Sequence, residues 1–238
     1  MISVHVSLVC CVRDGLTGKE MDPSALICAV DGVRRRPAGK EGGYIVFTDL
    51  PKGPHRLSVR CHGYQEEWIA FEADELTHEI DVTMKPGAGY PFRQAVTLLR
   101  LTVLEEKRPA GGRLFWLAAA GQEMKIAQTK AEAGDRELRI YCKGAAMPGA
   151  YLIEDAGNSE IVFLRGTEGE NAVLAEPLGS GHGRGKRLLP AQSYHTGEDG
   201  TLTAVFRAAG HVLLFDPHRG LAGDMELREG ENQLAVEI

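Results

Sequence analysis

The chain has 238 residues, which suits one large domain or two ordinary ones, each able to bury a core. Its formal net charge of −6 gives no general attraction for nucleic acid or for an anionic membrane. The aromatic content of 6% argues against a surface that stacks sugars or bases. We therefore expect a globular protein of two domains that binds neither nucleic acid nor a membrane.

The N-terminal segment, residues 1–12, is apolar but has no basic start, unlike a signal peptide. No run reaches the roughly 18 apolar residues that a membrane helix needs. The five cysteines lack CxxC spacing, which is typical of reduced thiols, although a link from Cys10 or Cys11 to Cys28 stays open. These features predict a cytoplasmic location.

The first third of the chain alternates strand-like and turn-like segments. The opening strand, residues 2–12, has an apolar residue at every second position, so one of its faces is expected to be buried. Turn signals such as Asp31-Gly32 separate the strands, and the aromatic residues Trp68 and Phe71 are expected in the core. About six short strands without a convincing helix predict an antiparallel sandwich. The later strands are expected at Ala25 to Val30, Tyr44 to Thr48, Arg56 to His62, Trp68 to Phe71 and Glu79 to Met84.

Proline and glycine are dense at residues 87–94, so a linker is predicted between a first domain, residues 1–86, and a second, residues 95–238. The second domain repeats the strand order of the first. Its extra sequence, at about 131–197, has no counterpart in the first half. We expect an ordered β insertion there, with a small third domain as the alternative. The strand-like segments of the insertion are Glu137 to Tyr141, Ala150 to Ile153, Glu160 to Leu164 and Ala172 to Ala175.

Three segments in the first half of the chain resemble the sequence pattern of a known domain family. The run Gly43-Tyr44-Ile45-Val46-Phe47 is followed by Asp49-Leu50-Pro51-Lys52-Gly53-Pro54-His55 and then by Gly63-Tyr64. In this order, the first ninety residues resemble the carboxypeptidase regulatory-like domain, a transthyretin-type or prealbumin-like sandwich. The second half matches in part, through Asp199-Gly200 and Phe206. The resemblance implies an all-β fold of tandem transthyretin-like or immunoglobulin-like antiparallel sandwiches that act as accessory modules.

A related sandwich, the hydroxyisourate hydrolase, is an enzyme with a C-terminal Tyr-Arg-Gly-Ser tail in its active site. This chain ends in Leu234-Ala235-Val236-Glu237-Ile238, so that activity is not expected. The eight histidines show no HxH, HExxH or Cys-His spacing, although His182 and His195 could converge on a metal with an acidic neighbour. No catalytic, metal-binding or cofactor-binding residue is predicted. A hydrolase site assembled from distant residues is left as an alternative.

Two basic segments are the candidate contact sites for a ligand or partner. Arg34-Arg35-Arg36 is interpreted as a solvated turn or as a docking patch for an acidic partner, because no stacking aromatics accompany it. The glycine-rich segment 179–187 fits neither a P-loop nor a dinucleotide-binding motif. It is expected to be a flexible basic loop, with weak anion binding as the alternative. Its candidate residues are His182, Arg184, Lys186 and Arg187.

The run Tyr90-Pro91-Phe92, leading into a strand, looks like accessory proteins of phage-tail-like contractile particles. Without a catalytic constellation, the expected function is a non-enzymatic structural or protein-interaction module, such as an accessory component of a phage-tail-like particle. Strand addition or self-association at sheet edges is the expected mode. The alternatives are the hydrolase and a ligand-binding sandwich that holds a carbohydrate, peptide or anion in the insertion loops.

Overall fold

A computed structural model of the protein describes residues 5–87, 89–92, 95–121, 123–144 and 146–238. Within these ranges the chain forms 23 strands and one short 3-10 helix, Pro23–Ala25, which confirms the all-β prediction. None of the helical structure in the described part of the chain is long and apolar enough to cross a membrane. Parts of the predicted first strand and linker, namely Ile2, Ser3, Val4, Ala88, Arg93 and Gln94, lie outside the described residues.

The chain divides into two compact units. We call Met1–Ala95 with Ala204–Arg207 unit 1, and Val96–Thr203 with Ala208–Ile238 unit 2. The strands of the N-terminal part are β1 Val6–Asp14, β2 Ile27–Val30, β3 Val33–Arg35, β4 Ala38–Gly39, β5 Tyr44–Thr48, β6 Gly53–Arg60, β7 Glu67–Ala73 and β8 His78–Met84.

These eight strands of unit 1 form two four-stranded sheets, with the orders β4-β5-β1-β8 and β3-β2-β6-β7. Most neighbours are antiparallel, but β1 and β8 run parallel, unlike the expected all-antiparallel arrangement. A parallel pair needs a long crossover connection, and strands β2 to β7 lie between these two strands in the sequence. The first and last strands of the sandwich are thereby joined in one sheet.

Alternating side chains from both sheets fill the core of unit 1. On β1 the buried residues include Leu8, Cys10 and Val12, as the period-two pattern predicts. Leu57 and Val59 of β6 belong to the same cluster from the other sheet. The two sheets therefore pack face to face as a sandwich.

Trp68 is an exception, because the prediction that it packs in the core is wrong. Ile69 and Phe71 pack against the core from β7. Side chains alternate along a strand, so Trp68 is turned to the outer face, where it is 45% exposed. There the guanidinium of Arg56 lies 4.2 Å from the centroid of the indole ring, in cation–π contact.

The Gly63-Tyr64 corner holds the end of β1 in place. The Tyr64 hydroxyl donates to Oδ2 of Asp14 at 3.0 Å, and the Tyr90 hydroxyl donates to the same oxygen at 2.6 Å. Two backbone amides of the following turn donate to the other carboxylate oxygen. Burial by itself would raise the pKa of Asp14, but these hydrogen bonds outweigh burial and hold that pKa below its usual range.

The C-terminal part of the chain contributes fifteen strands. They are β9 Thr97–Glu105, β10 Arg108–Pro109, β11 Leu114–Ala119, β12 Met124–Ile126, β13 Lys130–Ala131, β14 Glu137–Cys142, β15 Gly149–Glu154, β16 Glu160–Glu168, β17 Asn171–Leu174, β18 His182–Gly183, β19 Arg187–His195, β20 Thr201–Phe206, β21 Gly210–Asp216, β22 Gly220–Leu227 and β23 Gly230–Glu237.

Unit 2 repeats the pairing scheme of unit 1. β23 pairs with β9 in parallel, as β8 pairs with β1. β19, β11, β21 and β22 are neighbours in the order seen for β3, β2, β6 and β7. In this scheme the additional strands lie between β11 and β19, residues 120–186. The sequence pattern predicts the insertion at about 131–197.

Five of the additional strands close into a barrel together with β19, while β13 and β18 pair with each other. The sheet order β12-β14-β17-β16-β15-β19 is joined into a ring by a further pairing of β12 with β19, between Lys125 and Arg187. Inward side chains at every second position give the barrel a core of its own, in keeping with a small closed barrel. The core residues include Ile126, Leu138, Ile140, Ile153, Val162, Leu164, Leu174 and Leu188.

Candidate functional site

Unit 1 carries a groove with a volume of about 940 Å³. One wall is formed by residues 22–28, which include the 3-10 helix and the start of β2. The other wall is formed by residues 34–41, where the chain leaves β3 and crosses to β4 in the other sheet. The candidate run Arg34-Arg35-Arg36 lines this groove, which we call the arginine groove.

A tight hairpin sets the position of β3. Asp31 and Gly32 have φ values of 52° and 76°, the left-handed conformation of both central residues in a type I′ turn. The Asp31 carboxylate accepts from Nδ1 of His55 at 2.6 Å and from the amide of Arg56 at 2.8 Å. The hydrogen bond with His55 lowers the pKa of Asp31 and raises the pKa of His55. The turn before the arginines is thus tied to β6.

The arginine groove has an excess of positive charge. Its basic lining consists of Arg34-Arg35-Arg36 and Lys40, and its acidic lining consists of Asp22 and Glu41. The four basic side chains are exposed, and none forms a hydrogen bond or ion pair with another described residue. Asp22 already accepts a hydrogen bond from the amide of Ser24 at 2.8 Å. The basic groups are therefore free to bind carboxylates of a partner.

The second predicted site, residues 179–187, is held by specific contacts and is not a flexible loop. His182 is buried, with Nδ1 3.1 Å from Oδ2 of Asp155 and Nε2 2.7 Å from Oε1 of Glu160. Glu160 also accepts hydrogen bonds from the backbone amides of Gly179 and Ser180. These contacts fasten the segment to β16 and to the turn that precedes it.

Most of the positive charge in this segment is neutralised. Nζ of Lys186 lies 2.7 Å from Oδ1 of Asp155, and Nε of Arg187 lies 2.5 Å from Oε2 of Glu154. The hydrogen bond from Lys186 is the main reason why the pKa of Asp155 is lowered. Arg184 is exposed. The structure thus brings His182 and Lys186 together around Asp155 and does not assemble the four candidate residues around one anion position.

We call His182, Asp155 and Glu160 the His182 cluster, and its geometry supports few kinds of chemistry. Both hydrogen-bond partners of the imidazole, Asp155 and Glu160, are carboxylates, so the cluster offers no hydroxyl or thiol nucleophile for a histidine to activate. The carboxylates contact different ring nitrogens, whereas a metal requires donors that converge on one point. Among the described residues, no group of three or more His, Cys, Asp or Glu side chains could hold a metal ion.

Sequence reasoning found the basic residues of both segments and missed the acidic partners of the segment at 179–187. Asp155 and Glu160 lie 27 and 22 positions before His182. The run Glu154-Asp155 at the end of a strand-like segment resembles an ordinary polar turn, so no local signal reveals the pairing. Lys40 was missed for a similar reason, because its place in the groove depends on the pairing of β4 with β5.

No family model matches the chain. No curated protein matches it either. The major pilin subunit of Bacillus cereus is similar over 99% of this chain and 99% of its own, with 8% sequence identity and a TM-score of 0.29. A streptococcal ancillary pilin is 11% identical over 98% of this chain and 61% of its own, with a TM-score of 0.27. The Bacillus anthracis TIE protein is 9% identical over 98% of this chain and 50% of its own, with a TM-score of 0.29.

Proposed function

We propose that the protein is a non-enzymatic interaction module that binds an acidic surface of a partner protein through the arginine groove. The observation that carries the proposal is a concave site where the side chains of Arg34-Arg35-Arg36 and Lys40 form no hydrogen bond or ion pair with a carboxylate of the described residues. Some basic side chains elsewhere, such as Lys186 and Arg187, are matched by acidic ones. Charge left unmatched in a groove favours a complementary partner.

A protein partner suits the site better than a nucleic acid does. No aromatic side chain of the described residues lines the groove, so they offer bases nothing to stack on. The chain as a whole has a net charge of −6, which repels a polyanion at long range. A short acidic segment of a protein needs only the local positive charge.

The wider setting of this function is also a proposal. The resemblance to carboxypeptidase regulatory-like domains supports an accessory role, and membership of a larger assembly such as a phage-tail-like particle is a hypothesis. All five cysteines are free thiols, and Cys10, Cys11 and Cys28 are buried. Buried reduced thiols support the expected cytoplasmic location. Self-association is kept as a measurable alternative to binding a different protein.

The test measures binding of a fluorescein-labelled octaglutamate peptide to the full chain by fluorescence anisotropy. We expect the double variant Arg34→Glu and Arg35→Glu to weaken binding by about tenfold or more, because opposing charges become like charges. The matched control, Arg184→Glu with Arg228→Glu, makes the same change in net charge at exposed arginines of unit 2. It should leave the affinity within about twofold. Equal losses in both double variants would overturn the proposal.

A further inference from the structure

The backbone of β3 has hydrogen-bonding groups directed away from its sheet. The two-residue turn Asp31-Gly32 makes Val30 and Val33 a hydrogen-bonded pair, in which both residues exchange their amide and carbonyl bonds. Hydrogen-bonded and non-hydrogen-bonded pairs alternate along an antiparallel ladder, so Arg34 is next in a non-hydrogen-bonded pair. Its amide and carbonyl therefore point away from β2, toward the open edge.

Among the described residues, no strand lies beyond this edge. β3 is the terminal strand of the sheet β3-β2-β6-β7, and all three of its residues are exposed. Val33 keeps 58% of its surface accessible, which is unusual for an apolar residue inside a strand. An edge with free backbone groups and an uncovered valine is suited to pairing with another extended segment.

The side chains along β3 define what such a segment must contain. In paired strands, directly opposite side chains lie on the same face, and opposite charges there are favourable while like charges are not. Acidic residues therefore fit opposite Arg34 and Arg35, and an apolar residue fits opposite Val33. A second copy that offered its own β3 would set arginine against arginine, so that symmetric pairing is disfavoured.

We propose that an extended acidic segment of a partner protein adds to β3 as a fifth strand, with an apolar residue opposite Val33 and acidic residues opposite Arg34 and Arg35. This inference rests on the proposed function, since it names the occupant of the same groove and the way in which it binds. Read from its N-terminus, the core of the segment is acidic-acidic-apolar for an antiparallel strand. For a parallel strand the order is apolar-acidic-acidic.

The test separates backbone pairing from charge attraction. Arg34→Pro removes the outward amide together with the arginine side chain, whereas Arg34→Ala removes the side chain and keeps the amide. Proline is tolerated on an edge strand where its missing amide would face solvent, so the β2–β3 hairpin should persist. Trp68 fluorescence during urea unfolding of the full chain, with Trp116→Phe as the background, checks that unit 1 stays folded. The probe is the labelled peptide Thr-Glu-Glu-Val-Thr, measured by anisotropy.

Strand addition predicts that Arg34→Pro binds the probe about three- to tenfold more weakly than Arg34→Ala, the effect of one lost hydrogen bond. A probe with an N-methyl group on the second glutamate, which lies opposite Arg34 and whose amide faces β3, should lose affinity for the unmodified protein to a similar degree. An N-methyl group on the valine, whose amide faces away from β3, is the matched control. The N-methyl probe keeps the proposal falsifiable if Arg34→Pro fails to fold. Equal binding by the two variants, with no effect of the N-methyl group on the second glutamate, would overturn strand addition.

Two further measurements address the other occupants. If analytical ultracentrifugation shows that the unmodified chain self-associates and that the Arg34→Glu, Arg35→Glu variant is monomeric, a second copy occupies the edge and the partner segment is wrong. If a ten-nucleotide uridine oligomer binds more tightly than the peptide, the occupant is a nucleic acid and the inference fails. If charge reversal weakens the peptide while Arg34→Pro matches Arg34→Ala, the proposed function stands and only strand addition falls.

Discussion

Replacing Tyr64 with phenylalanine tests whether the Gly63-Tyr64 corner stabilises unit 1 through Asp14. The substitution keeps the ring and removes the hydroxyl that donates to Oδ2 of Asp14 at 3.0 Å. The carboxylate keeps the shorter bond from Tyr90, at 2.6 Å, and two backbone amide donors. The Asp14 carboxylate therefore loses one of these four hydrogen bonds and keeps the other three.

A hydrogen bond to a charged group contributes about 1.5–3 kcal/mol. Since the Tyr64 bond is the longer of the two phenol bonds, we expect Tyr64→Phe to lower the free energy of unfolding by about 1.5 kcal/mol at pH 7. Tyr44→Phe is the matched control, because the Tyr44 side chain forms no hydrogen bond with another described residue. The control should stay within about 0.5 kcal/mol.

The loss of stability caused by Tyr64→Phe should depend on pH, because the lost hydrogen bond is to the Asp14 carboxylate. Its pKa is lower in the folded protein than in the unfolded chain, so its contribution is complete above the unfolded value of about 3.9. That contribution is lost as the pH falls through the lower folded pKa. The difference between Tyr64→Phe and the unmodified protein should therefore be largest near neutral pH and shrink in acid.

The assay is urea unfolding of the full chain followed by tryptophan fluorescence. The chain has two tryptophans, so Trp116→Phe leaves Trp68 as the reporter of unit 1. The reverse variant, Trp68→Phe, leaves Trp116 to report on unit 2. A Tyr64→Phe effect no larger than that of Tyr44→Phe, or one that stays constant as Asp14 is protonated, would refute the role of the hydrogen bond.

Three other predictions follow from buried or crowded groups. His182→Ala should destabilise unit 2 by about 1–3 kcal/mol, read from Trp116, because it removes a buried imidazole that is hydrogen-bonded to Asp155 and Glu160, while Arg184→Ala should have little effect. Gly43→Ala should destabilise unit 1 more than Gly18→Ala, although both glycines have φ near +73°. An added Cβ at Gly43 would lie 2.8 Å from the Val12 carbonyl oxygen, whereas one at Gly18 would meet nothing within 4 Å. Equal losses of stability would contradict this. Burial raises the pKa of Cys10 to about 12 and that of Cys28 to about 11, so iodoacetamide at about pH 8 should modify them last in the native protein, as mass spectrometry would show.

The strands of the barrel show what local pattern can reveal. The segments predicted at Glu137 to Tyr141 and at Ala150 to Ile153 correspond to β14 and β15, because apolar alternation between turns is a local property. β19 was missed because Pro190 lies within it and glycines precede it, both of which normally argue against a strand. Its register depends on pairing with β11 and β15, which are distant in sequence.

The candidate site likewise has features that the sequence reveals and features that depend on the fold. Three consecutive arginines are visible in any reading of the sequence, and so is the Asp31-Gly32 turn before them. The groove is not visible, because it needs β3 and β4 to lie at the edges of different sheets. His182 shows the opposite case, since a histidine among glycines predicts an exposed loop, whereas two distant carboxylates draw it into the interior.

The central claim is that an acidic segment pairs with the open edge of β3. Hydrogen–deuterium exchange at the Arg34 amide, followed by NMR in the full chain with and without the Thr-Glu-Glu-Val-Thr peptide, measures this most directly. We expect rapid exchange in the free protein and clear protection when the peptide is bound, with little change at Val33, whose amide already pairs with Val30. Saturating peptide that leaves the Arg34 amide unprotected would contradict it.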